Sequence, residues 1–248
     1  MAIKHKTTDV FGVKSTLIAS YIEREDVDNK LNNAIKDGNE VIVYGSSKQG
    51  KTSLIHRHLE EKDFIKVECS PQTQTVDIYK SILRQLNIKY IESETTERGN
   101  EHGGKVSAGF KIKIPFIGDT NADAELSDKK QEKTSLKESY IEYNLALAQD
   151  ISELLIAHKI DKYIVLENFH YLELSAQEML AYDLRVFQDH HLIFIVLGIW
   201  REANRLIQFN GDLLDRISEV PVEPWEKKDF VSRPCKTPLP RTNTSICA

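Results

Sequence analysis

Apolar positions along the chain recur with two periods, and the alternation between those periods sets the expected architecture. Between residues 25 and 36, Val27, Leu31, Ala34 and Ile35 fall on one helical face. Asp37-Gly38-Asn39 stops that helix, because glycine suits the left-handed position after a last turn. Val41-Ile42-Val43-Tyr44 follows, a short β-rich run of the kind buried in a parallel sheet. The pattern then repeats: a helix over 51–61, a strand over 64–69 closed by Ser70-Pro71, and a helix over 75–86 with Val76, Ile78, Tyr79, Ile82, Leu83 and Leu86 on its apolar face. After a polar interval, a helix is predicted over 140–158 on Leu145, Leu147, Ile151, Leu154 and Leu155. A strand at 163–166, a helix over 175–188, a strand over 192–197, a helix near 203–209 and a short strand at 219–222 complete the series. Strands alternating with helices define an α/β class with a largely parallel, five-stranded sheet. No repeat of fixed period occurs.

Two stretches break the pattern. Residues 92–137 are polar, with Gly99, Gly103, Gly104, Gly109 and Gly118 among many charges, and within them 106–116 alternates as a hairpin arm would. This is either a surface insertion or an arm that touches a partner. The last seventeen residues hold three of the seven prolines and neither period, the mark of a disordered or aberrant tail. The expected organisation is a lead-in over 1–26, one ordered domain over 27–224 carrying the insertion, and a proline-rich tail over 225–248.

Composition narrows the class. The 248 residues are 40% hydrophobic and 29% charged, ordinary values for a globular protein. No apolar run reaches the ~18 residues of a membrane span, and the opening MAIKHKTTDV has no apolar signal core, so a cytoplasmic location is expected. Three cysteines (Cys69, Cys235, Cys247) build neither a disulfide framework nor a metal cluster. His56 and His58 stand two apart on one helix and face different ways, and His190-His191 reads as a surface pair. A net charge of −5 carries no global nucleic-acid signature.

The chemistry lies in one loop. Gly45-Ser46-Ser47-Lys48-Gln49-Gly50-Lys51-Thr52, continued by Ser53, matches GxxxxGK[ST] at every fixed position, between a buried strand and an apolar helix. Small residues let successive backbone N–H groups turn onto phosphate oxygens, and the helix N-terminus adds its positive dipole end. Lys51 is the candidate partner of the β- and γ-phosphates, and Thr52 the candidate hydroxyl ligand of Mg2+. A second oxygen ligand belongs at the end of a neighbouring buried strand. Tyr163-Ile164-Val165-Leu166-Glu167-Asn168-Phe169-His170 supplies Glu167 for the metal and Asn168 where a water-polarising carboxylate would stand. Asparagine orients water but takes no proton. A guanine-nucleotide motif and an LSGGQ-type signature are both missing, and a small-molecule kinase is the weaker enzyme alternative.

With both motifs in hand, the chain resembles the AAA+ ATPases, above all their origin-recognition-like and STAND branches of bacteria. The resemblance covers residues 20–224 and rests on Tyr21-Ile22-Glu23-Arg24-Glu25, the phosphate loop, YIVLENFH and GDLLDRISEVPVEPW. It implies a three-layer P-loop NTPase sandwich with strand order 5-1-4-3-2, bound ATP and Mg2+, and hydrolysis to ADP and phosphate that drives or gates a switch or an assembly. The alternative is a module that binds nucleotide without hydrolysing it. The resemblance also implies a sensor position among Gly198, Ile199 and Trp200, and an arginine finger at Arg216 reaching into a neighbouring subunit, with Arg201 and Arg205 as weaker choices. A homo-oligomer and a DNA or protein effector follow by analogy alone, with no membrane partner. Past the fifth strand the family continues into a helical lid, whereas here the chain passes Trp225 into the proline-rich tail, so a domain without that lid is expected.

Overall fold

Helix α1 (Glu25–Asp37) starts with Glu25, Asp26 and Asp28 in its first turn and ends with Lys36 in its last, which matches the helix dipole at both ends. The Asp28 carboxylate reaches back to the Arg24 N–H at 2.8 Å, and Gly38 closes the helix at φ +70°. The chain then enters β1 (Glu40–Tyr44), whose first four residues are buried. The computed structural model describes residues 21–93, 110–115, 140–199, 205–223 and 225. The lead-in before Tyr21, most of the polar insertion, Trp200, Arg201 and the tail lie outside the described residues.

The chain divides into two compact units. The first, residues 1–74 with 161–248, contains α1, β1, α2 (Lys51–His58), β2 (Phe64–Glu68), β6 (Tyr163–Glu167), α5 (Leu174–Asp189), β7 (Phe194–Gly198), α6 (Arg205–Phe209) and β8 (Ile217–Pro221). Its five strands are all parallel and lie in the order β2-β6-β7-β1-β8. Numbering these strands alone, from β8 inwards, gives the expected 5-1-4-3-2. Side chains alternate across the sheet. Val41, Val43, Val165, Ile195 and Val220 pack with Leu31 and Ala34 of α1 and Leu54 and Ile55 of α2 on one face. Phe194, one residue out of phase with Ile195, stacks on Phe187 of α5 at 4.7 Å on the other face. The result is an α/β/α sandwich. β8 closes against β1 with Pro221 opposite Tyr44, and the next N–H, that of Val222, donates to the Tyr44 carbonyl at 2.9 Å.

The second unit, residues 75–160, holds α3 (Thr75–Gln85), an antiparallel sheet β3-β4-β5 (Ile91–Ser93, Lys111–Pro115, Tyr140–Asn144) and α4 (Ala148–Ala157). One expectation is corrected here. Residues 140–144 form a strand, and the helix predicted from Tyr140 begins only at Ala148. Asn144 ends the strand by accepting the Ala146 N–H on its side-chain oxygen at 3.0 Å, and Asp150 accepts the Asn144 N–H at 2.7 Å. Within its described part, the alternating stretch at 106–116 is a strand: Lys111–Pro115 lies antiparallel between β3 and β5, with Ile112 and Ile114 buried and Lys111 and Lys113 exposed.

At the end of the main sheet away from residues 45–52, Glu40 is fully buried. One carboxylate oxygen accepts the Phe194 N–H at 2.6 Å, and the other finds no hydrogen-bond partner among the described residues. Burial drives its pKa well above the usual carboxylate range. A raised folded-state pKa adds stability below the unfolded value and loses it as pH rises through the folded one. Glu40→Gln is therefore expected to raise stability increasingly from pH 5 to pH 8 in urea titrations, with little gain at pH 5; equal gains at both would refute the neutral carboxyl.

Candidate nucleotide-binding site

β1 delivers the chain to Gly45, which sits at φ +148° with no room for a side chain. A Cβ there would lie 2.5 Å from Val222 Cγ2 and 3.4 Å from Glu223 Cγ. Gly50 is a glycine for a different reason: it caps α2 at φ +87° with open space around it, so only its conformation selects the residue. Lys48 also takes a left-handed backbone, φ 64°, and with Ser47 is exposed at the loop tip; Gln49 and Ser53 are half-buried.

The Lys51 ammonium turns back across its own loop and donates to the Gly45 and Ser46 carbonyls, each at 2.8 Å. Burial lowers its pKa, and the charge of Glu223 opposes that shift. Glu223 is itself anchored on the loop, accepting the Ser46 N–H at 2.8 Å.

β6 carries Glu167 to the same place. The Thr52 hydroxyl donates to Glu167 Oε1 at 2.9 Å across 115 residues of chain. Glu167 Oε2 faces the Lys66 ammonium of β2 at 3.5 Å. Asn168 is exposed, at φ 59° and ψ 31°, and leads into a 3-10 turn at Phe169–Tyr171. Asparagine is among the few residues that adopt this backbone readily, which is a reason for its presence independent of water chemistry. In that turn His170 keeps a buried Nδ1 that finds no hydrogen-bond partner among the described residues. Burial, and then the nearby Lys51 charge, lower its pKa.

The structure thus brings Gly45, Ser46, Gly50, Lys51, Thr52 and Glu167 together, with Asn168 just beyond. Arg216 stands apart. Its carbonyl accepts the Glu40 N–H, which puts it at the opposite end of β1, and its guanidinium is held by Asp189 at 2.9 Å and Gln188 at 3.4 Å. Arg205 opens α6, and β7 ends at Gly198 beside an exposed Ile199.

Lys66, Glu223 and Arg24 join the site through partners far along the chain. The Arg24 guanidinium donates to the Val222 carbonyl at 2.6 Å and lies 4.0 Å from the Trp225 ring centre. Asp28 gathers the Arg24 N–H, the Tyr21 hydroxyl at 2.7 Å and the His58 ring at 2.6 Å. Its burial favours the neutral acid, but the bonds from His58, Tyr21 and Arg24 outweigh that and lower its pKa. The signal for these contacts lies in long-range partners that no local spacing encodes.

A strand-loop-helix phosphate loop facing a strand-end carboxylate, on a parallel sheet of this order, defines a nucleotide-binding P-loop ATPase domain. A family model described as an AAA domain matches residues 35–207, and the chain belongs to that family. Among solved structures it is similar to the Walker-type ATPase PABY2304 of Pyrococcus abyssi, at 18% identity over 86% of this chain and 57% of that one, TM-score 0.44. It is similar also to Cdc6p from Pyrobaculum aerophilum (13%, 85% and 49%, TM-score 0.45) and to Drosophila ORC bound to AT-rich DNA and Cdc6 (14%, 88% and 56%, TM-score 0.42). The chain spans about half the length of these proteins. No curated protein matches it. Among the described residues no helix is long and apolar enough to cross a membrane.

AAA domains bind ATP with Mg2+, and the residues present fit both. Thr52 and Glu167 form a hard-oxygen donor pair beside the loop, as a Mg2+ that keeps several waters requires. Open space at Gly50 leaves the loop backbone approachable. Removing the Lys51 charge by Lys51→Ala should weaken ATP and ADP binding at least about tenfold, since charge-assisted hydrogen bonds are worth ~1.5–3 kcal/mol. Calorimetry giving equal affinities would refute this assignment of the loop.

Proposed function

We propose that this domain binds ATP with Mg2+ on residues 45–52 and hydrolyses it slowly to ADP and phosphate, gating a conformational switch or an assembly. The observation that carries the proposal is the 2.9 Å contact between Thr52 and Glu167, which joins the loop to the strand-end carboxylate. Lys51 and the N–H groups at the start of α2 would hold the phosphates, and Thr52 with Glu167 would hold the metal. Bound there, Mg2+ supplies neutralisation of the phosphate charge. Asn168 orients a water without taking its proton, and His170, kept neutral by its lowered pKa, offers a ring nitrogen beside Lys51.

The sequence segments shared with the origin-recognition-like and STAND branches support placing the domain near them. On that placement Arg216 serves a neighbouring copy, exchanging its surface pairing with Asp189 for the neighbour's phosphates, and the cytoplasmic assembly works on DNA or a protein effector. The exchange is cheap, because an exposed ion pair in water adds little to stability. A second reading, a module that binds nucleotide and does not hydrolyse it, is favoured by Asn168, which is exposed and carries no carboxylate.

Phosphate release measured across protein concentration separates the two. Slow wild-type turnover is expected to rise at least about tenfold in Asn168→Glu, even after the strain of a glutamate in the left-handed region, because general-base assistance is typically worth ~10²–10⁴. Glu167→Ala should remove the Mg2+-dependent turnover. Tight ADP binding with no phosphate release in either the wild type or Asn168→Glu would instead establish the non-hydrolysing module.

A further inference from the structure

Lys66 stands in an unusual place for a lysine. Phe64 and Val165 both belong to the apolar layer beneath α2, so a period of two puts Lys66 and Glu167 on that same face. The β2-β6 register sets Lys66 opposite Val165 and Glu68 opposite Glu167, which makes Lys66 and Glu167 diagonal neighbours. The Lys66 side chain is 28% exposed and that of Glu167 only 13%. The second partner of Lys66, Glu68 at 3.0 Å, is 67% exposed and differs in kind. One Glu167 oxygen takes the Thr52 hydroxyl and the other faces the Lys66 ammonium, so both oxygens of the candidate metal ligand are engaged by this chain.

We infer that Lys66 is a positioning residue that holds the second oxygen of Glu167 and competes with Mg2+ for it, giving the domain a weakened requirement for the cation in nucleotide binding. The inference rests on the nucleotide-binding function proposed above. A carboxylate whose lone pairs are committed to a hydroxyl and an ammonium is a poorer ligand for a divalent ion. The same ammonium leaves a fixed positive charge near the loop, which supports a bound polyphosphate when no metal accompanies it.

The test is binding rather than turnover. A fluorescent ADP analogue is titrated in EDTA and at stepped Mg2+ concentrations against the wild type, Lys66→Met, Lys66→Arg and Glu68→Gln. Lys66→Met should lose affinity in EDTA by about three- to tenfold and should need correspondingly less Mg2+ for half-maximal tightening, the range set by a partly buried charge pair. Lys66→Arg should restore wild-type behaviour, which a merely structural lysine contact does not demand. Glu68→Gln, at an exposed side chain, frees Lys66 for Glu167 and should raise the half-saturating Mg2+, so the inference stays testable should Lys66→Met unfold. Identical Mg2+ and EDTA curves for the wild type and the folded variants overturn the inference alone. A wild type that binds no nucleotide in either buffer overturns the proposed function and the inference with it.

Discussion

The approach of Gly45 to Val222 is the constraint on which the site depends. The last bond between β1 and β8, from the Val222 N–H to the Tyr44 carbonyl, draws the two strand ends so close that residue 45 has no room for a Cβ. The Val222 carbonyl is held from the other side by the Arg24 guanidinium, a charge-assisted bond of the stronger class, worth ~1.5–3 kcal/mol. Arg24 in turn opens α1, where Asp28 takes its N–H and the ring of His58 at the end of α2. The first residue of the phosphate loop, the end of β8, the start of α1 and the end of the loop's own helix are thereby fixed to one another. The loop's geometry is set as much by segments nearly two hundred residues away as by its own glycines.

Local patterns made much of this legible. The five core strands, the helices α1, α2, α3 and α5 and the phosphate loop each follow from a period or a spacing carried within a dozen residues. Residues 140–147 carry two patterns at once: Ile141, Tyr143, Leu145 and Leu147 alternate with period two while Leu147, Ile151, Leu154 and Leu155 recur at helical spacing. Pairing with β4 decides between the two, and no window of that size contains β4. Asn168 stands where the motif places a catalytic carboxylate, and the structure adds a backbone reason for it, its left-handed φ. Ser46 with Glu223 and Arg24 with Val222 are contacts across 177 and 198 residues, and Lys66 with Glu167 depends on a strand register. Such information exists only once the sheet is assembled.

Charge is distributed unevenly over the main sheet. At the loop end, Lys51 and Lys66 are interleaved with Glu167 and Glu223, so each ammonium has a carboxylate within its field and the cluster is close to neutral. At the other end, burial pushes the Glu40 carboxyl toward its neutral form, and Arg216 is paired at the surface. An arriving polyphosphate therefore meets backbone N–H groups and two lysines, each of which it shares with a carboxylate already in place.

Pro221 has a consequence for the edge of that sheet. In a parallel ladder the N–H and C=O of one residue face the same neighbour and those of the next face the opposite way. Val222 donates to Tyr44 and the Arg216 carbonyl accepts from Glu40, so the even-numbered residues of this segment face β1 and the odd-numbered ones face away. Pro221 is odd. Its missing N–H removes nothing from the β1 ladder, and the deleted donor lies on the outer rim, where β8 is the terminal strand among the described residues. An incoming strand, whether from another copy or from an unfolding chain, meets a gap in the donor row beside the phosphate loop, so unwanted cross-β growth is blocked at the edge nearest the site without weakening the sheet that builds it.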